Sequence, residues 1–425
     1  MRLIGLLGFG TVVLVAMLVL HGYLWWRLVR GTTRTGRARR RLTLLTVVLT
    51  LLPFLAVTLR RTIPLHAAGP LDWVAYTWLG IAFYAFLTLL VLEPVRLSGT
   101  LWLGRHDNRV VRGGPPRGPR RRDEAAPRDG GEAAPRDGGT AAVLSPSRRL
   151  FLSRSLAVTA GAVALGTAGT GAFLANTAPV VRRVPVPLPG LDPALDGLRI
   201  VTFADGHLSA MYGGRRFERV VELVNEQRPD VVAIVGDLVD GDVDELREDV
   251  APLADLVSEQ GVYFVTGNHE YFVDTRAWMR HLPTLGVDVL RNERVAIRRG
   301  PASFDLAGID DRTAAGSGVP GHGANLHRAL DGRDERTPVV LLAHQPVMVQ
   351  QASAAGVDLQ LSGHTHGGQL WPFDYVIRLD QPAVEGLSRH GRTQLYVTSG
   401  VGFWGPPMRI GARPEVTVIE LRSPG

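Results

Sequence analysis

The chain has 425 residues and no cysteine, which excludes both disulfides and thiolate metal sites. Residues 1–149 carry 22 Arg against 8 Asp and Glu, a net of +14, so the remainder of this +7 chain is acidic at −7. Arginines set beside apolar runs, followed by an acidic remainder, speak for a membrane and against a nucleic-acid-binding surface.

In chain order, residues 4–26 form a nearly unbroken apolar run ending on Trp25 and Trp26. That suffices for the ~20 residues that cross a bilayer, and indoles favour its interface. Residues 42–59, with Pro53 inside, and 73–95, flanked by Arg96, are a second and a third run. Each alone could be a buried core helix. Three in succession, uncharged until Glu93, predict three transmembrane helices within residues 1–100. A fourth, weaker run over 156–174 is rich in Ala, Gly and Thr and lies in a segment spanning 150–178. It follows Ser147-Arg148-Arg149-Leu150-Phe151-Leu152, which resembles the twin-arginine export signal, although such signals normally open a chain. The other reading makes Arg148, Arg149 and Arg154 cytoplasmic flank charges of a helix. Either way the segment is expected to stay as an anchor.

Seven arginines lie in the loop after the first run and twelve in 96–149, but only Arg60 and Arg61 follow the second run. Positive charge stays in the cytoplasm, so the first and third loops are predicted inside and everything after the fourth run outside. The domain after it is thus expected to be extracytoplasmic, on a multi-pass cell-membrane protein. Residues 101–149 hold a tandem repeat, Glu-Ala-Ala-Pro-Arg-Asp-Gly-Gly, at 124–131 and 132–139. So few apolar residues cannot bury a core, which predicts a disordered cytoplasmic linker. Residues 179–193, with five prolines, are expected to be an extended spacer before a globular domain over 190–425.

From Leu198 the pattern changes to short β-branched runs alternating with amphipathic stretches. Strands are predicted at 198–204, 231–235, 262–266, 303–307, 339–343, 357–361, 395–398 and 416–421, and helices at 215–227 and 244–259. This is an α/β layered architecture. Polar clusters sit where the strands end: Asp205-Gly206-His207, Gly236-Asp237, Gly267-Asn268-His269-Glu270, His344-Gln345-Pro346 and Gly363-His364-Thr365-His366. Sites in α/β proteins form at the carboxyl ends of strands. In an extended backbone i and i+2 share a side, so Asp205 and His207 can grip one ion. The two oxygens of Asp237 can bridge two ions, and Asn268 and His344 can reach the second. His364 and His366 lie on a glycine loop that lets their rings diverge. Carboxylate, amide and imidazole without sulfur suit two divalent ions of Mn, Fe or Zn. Against this, His364 and His366 could be exposed loop residues, and Asp237 and Asn268 could merely cap turns and helices.

The ordered blocks Asp-x-His, Gly-Asp-x-x-Asp, Gly-Asn-His-Glu, His and Gly-His-x-His resemble the calcineurin-like metallophosphoesterase superfamily over about 198–421. Gly-His-Thr-His-Gly-Gly-Gln and the stretch Gly402-Phe403-Trp404-Gly405-Pro406-Pro407-Met408-Arg409 are similar to its bacterial membrane-associated branch, which includes phosphodiesterases akin to lipid A pathway UDP-diacylglucosamine hydrolases. One departure is Ala204 and Gly206, where the family usually has Ser and a bulkier residue. The resemblance implies a four-layer α/β/β/α sandwich behind an all-α transmembrane region. It implies that Asp205, His207, Asp237 and His366 hold one metal and Asp237, Asn268, His344 and His364 the other. His269 would protonate the leaving group or stabilise phosphate charge. The expected substrate is a phosphodiester or pyrophosphate, lipid-linked if Trp371, Phe373, Phe403 and Trp404 line an apolar rim; otherwise these aromatics pack in the core. A non-catalytic metal-binding sensor or scaffold on the same fold is the alternative. A transporter is disfavoured, because the spans offer almost no polar path.

Overall fold

The computed structural model of the chain describes residues 2–59, 62–112 and 146–424. The tandem repeat expected to be a disordered linker lies outside the described residues. Five long helices come first: α1 (Arg2–Leu24), α2 (Arg37–Leu59), α3 (Leu65–Val91), α4 (Glu93–Arg112) and α5 (Pro146–Ala175). Among the described residues three stretches are long and apolar enough to cross a membrane, Arg37–Leu59, Ala67–Val91 and Arg148–Ala175. α1 covers the first apolar run, although much of it lies outside the residues whose side chains are described. Residues 96–112, read from sequence as loop, are helical in α4, which follows α3 after a single residue.

The chain divides into two compact units. One comprises Phe9–Thr50 and Ile81–Leu165. In it Glu93, the acid that interrupts the third apolar run, accepts hydrogen bonds from Tyr23 Oη at 2.6 Å and Arg96 Nε at 2.6 Å and pairs with Arg27. A carboxylate in apolar surroundings needs such partners. Arg27 is itself buried, so it serves as a counter-ion and not as a loop charge.

The other unit comprises Met1–Gly8, Leu51–Gly80 and Gly166–Gly425. Its strands are β1 (Val180–Pro187), β2 (Arg199–Phe203), β3 (Val231–Val235), β4 (Val262–Val265), β5 (Val287–Val289), β6 (Glu293–Arg299), β7 (Ala302–Gly308), β8 (Val339–Leu342), β9 (Leu359–Ser362), β10 (Gly386–His390), β11 (Thr393–Val397) and β12 (Glu415–Arg422). They form two six-stranded sheets, ordered β1-β12-β2-β3-β4-β5 and β10-β11-β9-β8-β7-β6. The middle of each sheet is parallel: β2 to β5 in the first, and β7, β8, β9 and β11 in the second.

The layering follows from the period of two along each strand. Val231, Ala233 and Val235 of β3 face Val340, Leu342 and Leu361 in a core between the sheets. Val232 and Ile234 face outward into a second core with Phe217, Val220 and Val224 of α6 (Gly214–Glu226) and Leu246 of α7 (Val243–Val250). A third core lies on the far side of the second sheet, between Val339 and Leu341 of β8 and Leu326 and Ala352 on the short helices outside it. Helix, sheet, sheet and helix therefore stack in four layers. Strands buried on both faces read as unbroken apolar runs. The helix predicted over 244–259 stops at Val250, and the chain turns through Ala251–Asp255, with Pro252 unable to continue it.

The proline-rich segment differs from expectation. It is no free spacer: β1 pairs in parallel with β12 over eight residues, from Val180 opposite Glu415 to Pro187 opposite Arg422. Pro185 and Pro187 are tolerated because β1 is an edge strand. Parts of two of the long helices also rest on this domain. Leu65 N donates to Glu245 Oε1 at 3.0 Å, and Trp73 lies edge-on to Phe403 at 6.5 Å. Gly80 and Gly171 allow close approach: a Cβ at Gly80 would lie 2.6 Å from Met408 Sδ, and one at Gly171 2.9 Å from Ile410 Cδ1. Arg409 N donates to Gly171 O at 2.9 Å.

Candidate metal centre

Every polar cluster singled out in the sequence lies at the carboxyl end of a strand, Asp205 and His207 after β2, Asp237 after β3, Asn268 and His269 after β4, His344 after β8, and His364 and His366 after β9. The two sheets bring all of them together. The backbone does so through unusual conformations. Among the described residues, six of the eight non-glycine positions with positive φ are here: Asp205, His207, Asp237, His364, His366 and Gln369, with φ of 43–72°. Each left-handed residue costs about 1 kcal/mol or more, and such strain gathers at functional sites. Asp205 and His207 thus do converge, but through a curled loop and not through the extended backbone inferred from sequence. That loop is held by Val401 N and Gly402 N, which donate to Ala204 O at 3.0 Å and Asp205 O at 2.9 Å. Gly267 is a glycine by necessity, because a Cβ there would lie 2.1 Å from Asp237 Oδ1.

Among the described residues, three overlapping groups could hold a metal ion: Asp205, His207 and His366; His207, Asp237 and His269; and Asp237, His344 and His364, each with ligand atoms within 4.8 Å of one another. Asp237 joins the last two, with Oδ2 3.1 Å from His344 Nε2, 3.9 Å from His207 Nε2 and 4.0 Å from His269 Nε2. Its Oδ1 also accepts from His269 N at 2.8 Å, so it does cap the turn at His269 in part. Asn268 does not cap: its side chain makes no such bond, and its Oδ1 is buried with no hydrogen-bond partner. His344 Nε2 is likewise buried without a well-formed hydrogen bond, while Nδ1 bonds Val235 O at 2.7 Å. A buried amide oxygen and ring nitrogen lacking a donor are what a cation would satisfy. The residues therefore fit divalent metal.

The electrostatics agree. Burial, reinforced by His344, lowers His364 to about 3. Burial, reinforced by Arg409, holds His366 well below its ordinary value. Both rings are neutral at physiological pH and offer lone pairs. Burial and the nearby charge of Asp237 push Asp205 up to about 6, despite His344. Burial also opposes charge on Asp237, yet His344 and His269 hold it well below the usual carboxylate range. His269 is shifted in the opposite direction. Burial lowers it, but Asp237 and Asp240 more than reverse this and raise it to about 9.

Three further residues, whose roles the sequence reading left unassigned, build the centre. Asp240 Oδ1 lies 2.6 Å from His269 Nδ1 and 3.1 Å from His207 Nδ1, orienting both rings. Glu270 accepts from the backbone N–H groups of Asp237 at 3.0 Å, Leu238 at 2.8 Å and Gly267 at 2.6 Å, tying two of the loops. Arg409 is fully buried and donates to His366 O at 2.7 Å, Ser399 O at 2.7 Å and Gly402 O at 3.0 Å. Asp240, Glu270 and Arg409 all stand inside the sequence motifs, so their positions were visible although their partners were not. The four aromatics divide. Phe403 is core, whereas Trp404, Trp371 and Phe373 are about half exposed. Trp404 lies 5.6 Å from the His269 ring, and Phe272, which the sequence reading did not single out, lies 5.0 Å from it.

The family model for calcineurin-like phosphoesterases matches residues 198–368. A transmembrane protein with metallophosphoesterase domain from Danio rerio is 42% identical over 252 residues, 58% of this chain and 58% of that protein. The chain thus spans less than two thirds of that relative. An uncharacterized metallophosphoesterase of Helicobacter pylori strain J99 is 34% identical over 278 residues, 65% of this chain and 73% of that protein. The uncharacterized metallophosphoesterase YkuE of Bacillus subtilis is 33% identical over 236 residues, covering 54% of this chain and 80% of the other. The strand-end clusters, the four layers and these relatives lead to one assignment: this chain belongs to the calcineurin-like metallophosphoesterase family.

Proposed function

We propose that this protein is a membrane-anchored, two-metal phosphodiesterase that hydrolyses a phosphodiester or pyrophosphate bond of a lipid or envelope glycolipid on the extracytoplasmic side. The observation that carries the reading is the convergence of Asp205, His207, Asp237, His344, His364 and His366, with the Oδ1 of Asn268, after β4, buried and free of any hydrogen bond. In this reading Asp205, His207, Asp237 and His366 hold one divalent ion, and Asp237, Asn268, His344 and His364 hold the other. A pair of Mn, Fe or Zn ions supplies, when bound, an activated water and a clamp on the phosphate oxygens. The chain's own residues do the rest. Asp240 fixes the His269 ring with its Nδ1–H, leaving Nε2 to carry the proton for the leaving oxygen. Asp240, which lies outside the proposed ligand set, favours the protonated form of His269, as a general acid requires. Trp404 and Phe272 beside it offer apolar surface to a lipid portion.

The test uses the full chain in detergent, because Leu65, Ala175 and Trp73 pack into the domain's core. With Mn, an aryl phosphodiester should turn over faster than the matching monoester, and a chelator should abolish both rates. Absence of turnover with Mn, Fe(II) and Zn alike would leave the family's fold without its hydrolysis and favour a binding role.

A further inference from the structure

We infer that residues 371–379 form an apolar ledge that rests in the membrane interface on the domain's side, setting the metal centre at head-group level. Nine large apolar side chains after Val180 are exposed among the described residues, and five of them fall in this stretch: Trp371, Phe373, Tyr375, Val376 and Leu379. Leu379 is 86% exposed and Tyr375 64%. The helical turn Asp374–Ile377 buries none of its residues. Tyr375 and Val376 stand on that turn, and Leu379 on the turn bonded to its end, where Leu379 N donates to Val376 O at 3.1 Å. An apolar face of this kind marks a contact surface and not an ordinary solvated loop.

Continuity with the membrane helices identifies the occupant as lipid. Trp371 N donates to Ile410 O at 2.8 Å, and Ile410 N donates to Gln369 O at 2.7 Å. Ile410 and Met408 in turn pack against Gly171 and Gly80. Those glycines lie inside the stretches Arg148–Ala175 and Ala67–Val91 that are apolar enough to span. The ledge is therefore rooted on the segment between β11 and β12 that touches the spanning helices, where the medium beside it is bilayer. It is also rooted on the metal centre. Gln369 follows the His366 loop, and its amide donates to Trp404 O at 2.8 Å and Pro406 O at 3.0 Å. Through that link a ledge seated among head groups holds His269 and Trp404 at the level of a lipid's phosphoester. The substrate class is then a phosphoester that stays in the leaflet, and this last step rests on the function proposed above.

Because the chain has no cysteine, Val376→Cys and Leu379→Cys each create a single labelling site. Val257→Cys is the reference, since Val257 is 68% exposed and lies just before the amino end of β4, away from the centre. Each full-length variant is labelled with a small fluorophore in nanodiscs of phosphatidylcholine and phosphatidylglycerol. Labels at 376 and 379 should be quenched by lipid carrying a shallow doxyl group and should resist aqueous iodide about fivefold better than the label at 257. Iodide quenching equal to that at 257, with no doxyl quenching, overturns the inference. So does protection from iodide that appears only with two chains per disc, which would make the ledge a self-association face. Neither readout needs turnover, so a chain without phosphoesterase activity would refute the proposed function while leaving this inference standing.

Discussion

Asp237 is the side chain on which the centre converges, with both oxygens engaged and three imidazoles within 4.0 Å of Oδ2. Asp237→Asn should therefore reduce occupancy of both metal positions, measured by elemental analysis of the purified chain, while His281→Ala, outside every motif, should not. For His269 the function proposed above makes its proton, and not a lone pair, the useful part. His269→Ala should keep the metals and lose roughly 10²–10⁴-fold in rate, the usual worth of general acid catalysis. The loss should be smaller for an acidic phenol leaving group than for an alkyl one; an equal loss for both would remove His269 from that role. Asp240→Asn should give a milder version of the same leaving-group dependence. These residues were legible to different degrees. The proposed ligands Asp205, His207, Asp237, Asn268, His344, His364 and His366 are residue types that few other roles demand together at strand ends, which is why they stand out in the sequence. Asp240 and Glu270 orient and tie, which any acid can do, and only their partners reveal it. Nothing about an arginine in a row of glycines and prolines foretells that Arg409 is buried against His366.

Among elements, the central strands were readable and the edges were not. β3 is apolar at all five positions because both faces are covered. β6 has four charged residues among its seven, and β10 reads Gly-Leu-Ser-Arg-His. Edge strands meet solvent on one side and lack the apolar signal that gives a strand away. β1 was missed for a related reason: its prolines speak for a linker, and only the pairing with β12 makes it a strand. The seating of α5 on the domain was equally hidden, since it depends on one missing side chain. Gly171→Leu should destabilise the chain by about 1–3 kcal/mol, as overpacking of a closed contact does. Gly166→Leu, with nothing within 4 Å of its Cβ position, should change little. Thermal unfolding of the two variants in detergent makes the comparison, and matching midpoints would mean that α5 does not bear on the domain in solution.

For the whole molecule the arginine distribution makes the strongest statement, and it concerns sidedness. A reporter fused to Gly425 should be active only outside the cytoplasm, whereas one inserted within 113–145 should be active only inside. The reverse pattern would place the metal centre in the cytoplasm and remove every envelope substrate from consideration. Four residues, 176–179, separate the end of α5 at Ala175 from the start of β1 at Val180. They reach at most ~14 Å, against ~50 Å had all fifteen residues of 179–193 been free. A leash that short removes one dimension from the search for substrate. The centre cannot sample bulk solution at varying height, and under the proposed function it meets a lipid-borne target by lateral diffusion in a plane. Velocity should then follow the mole fraction of substrate in the surface: inert lipid added to the same bilayer slows the reaction, while more buffer around it does not.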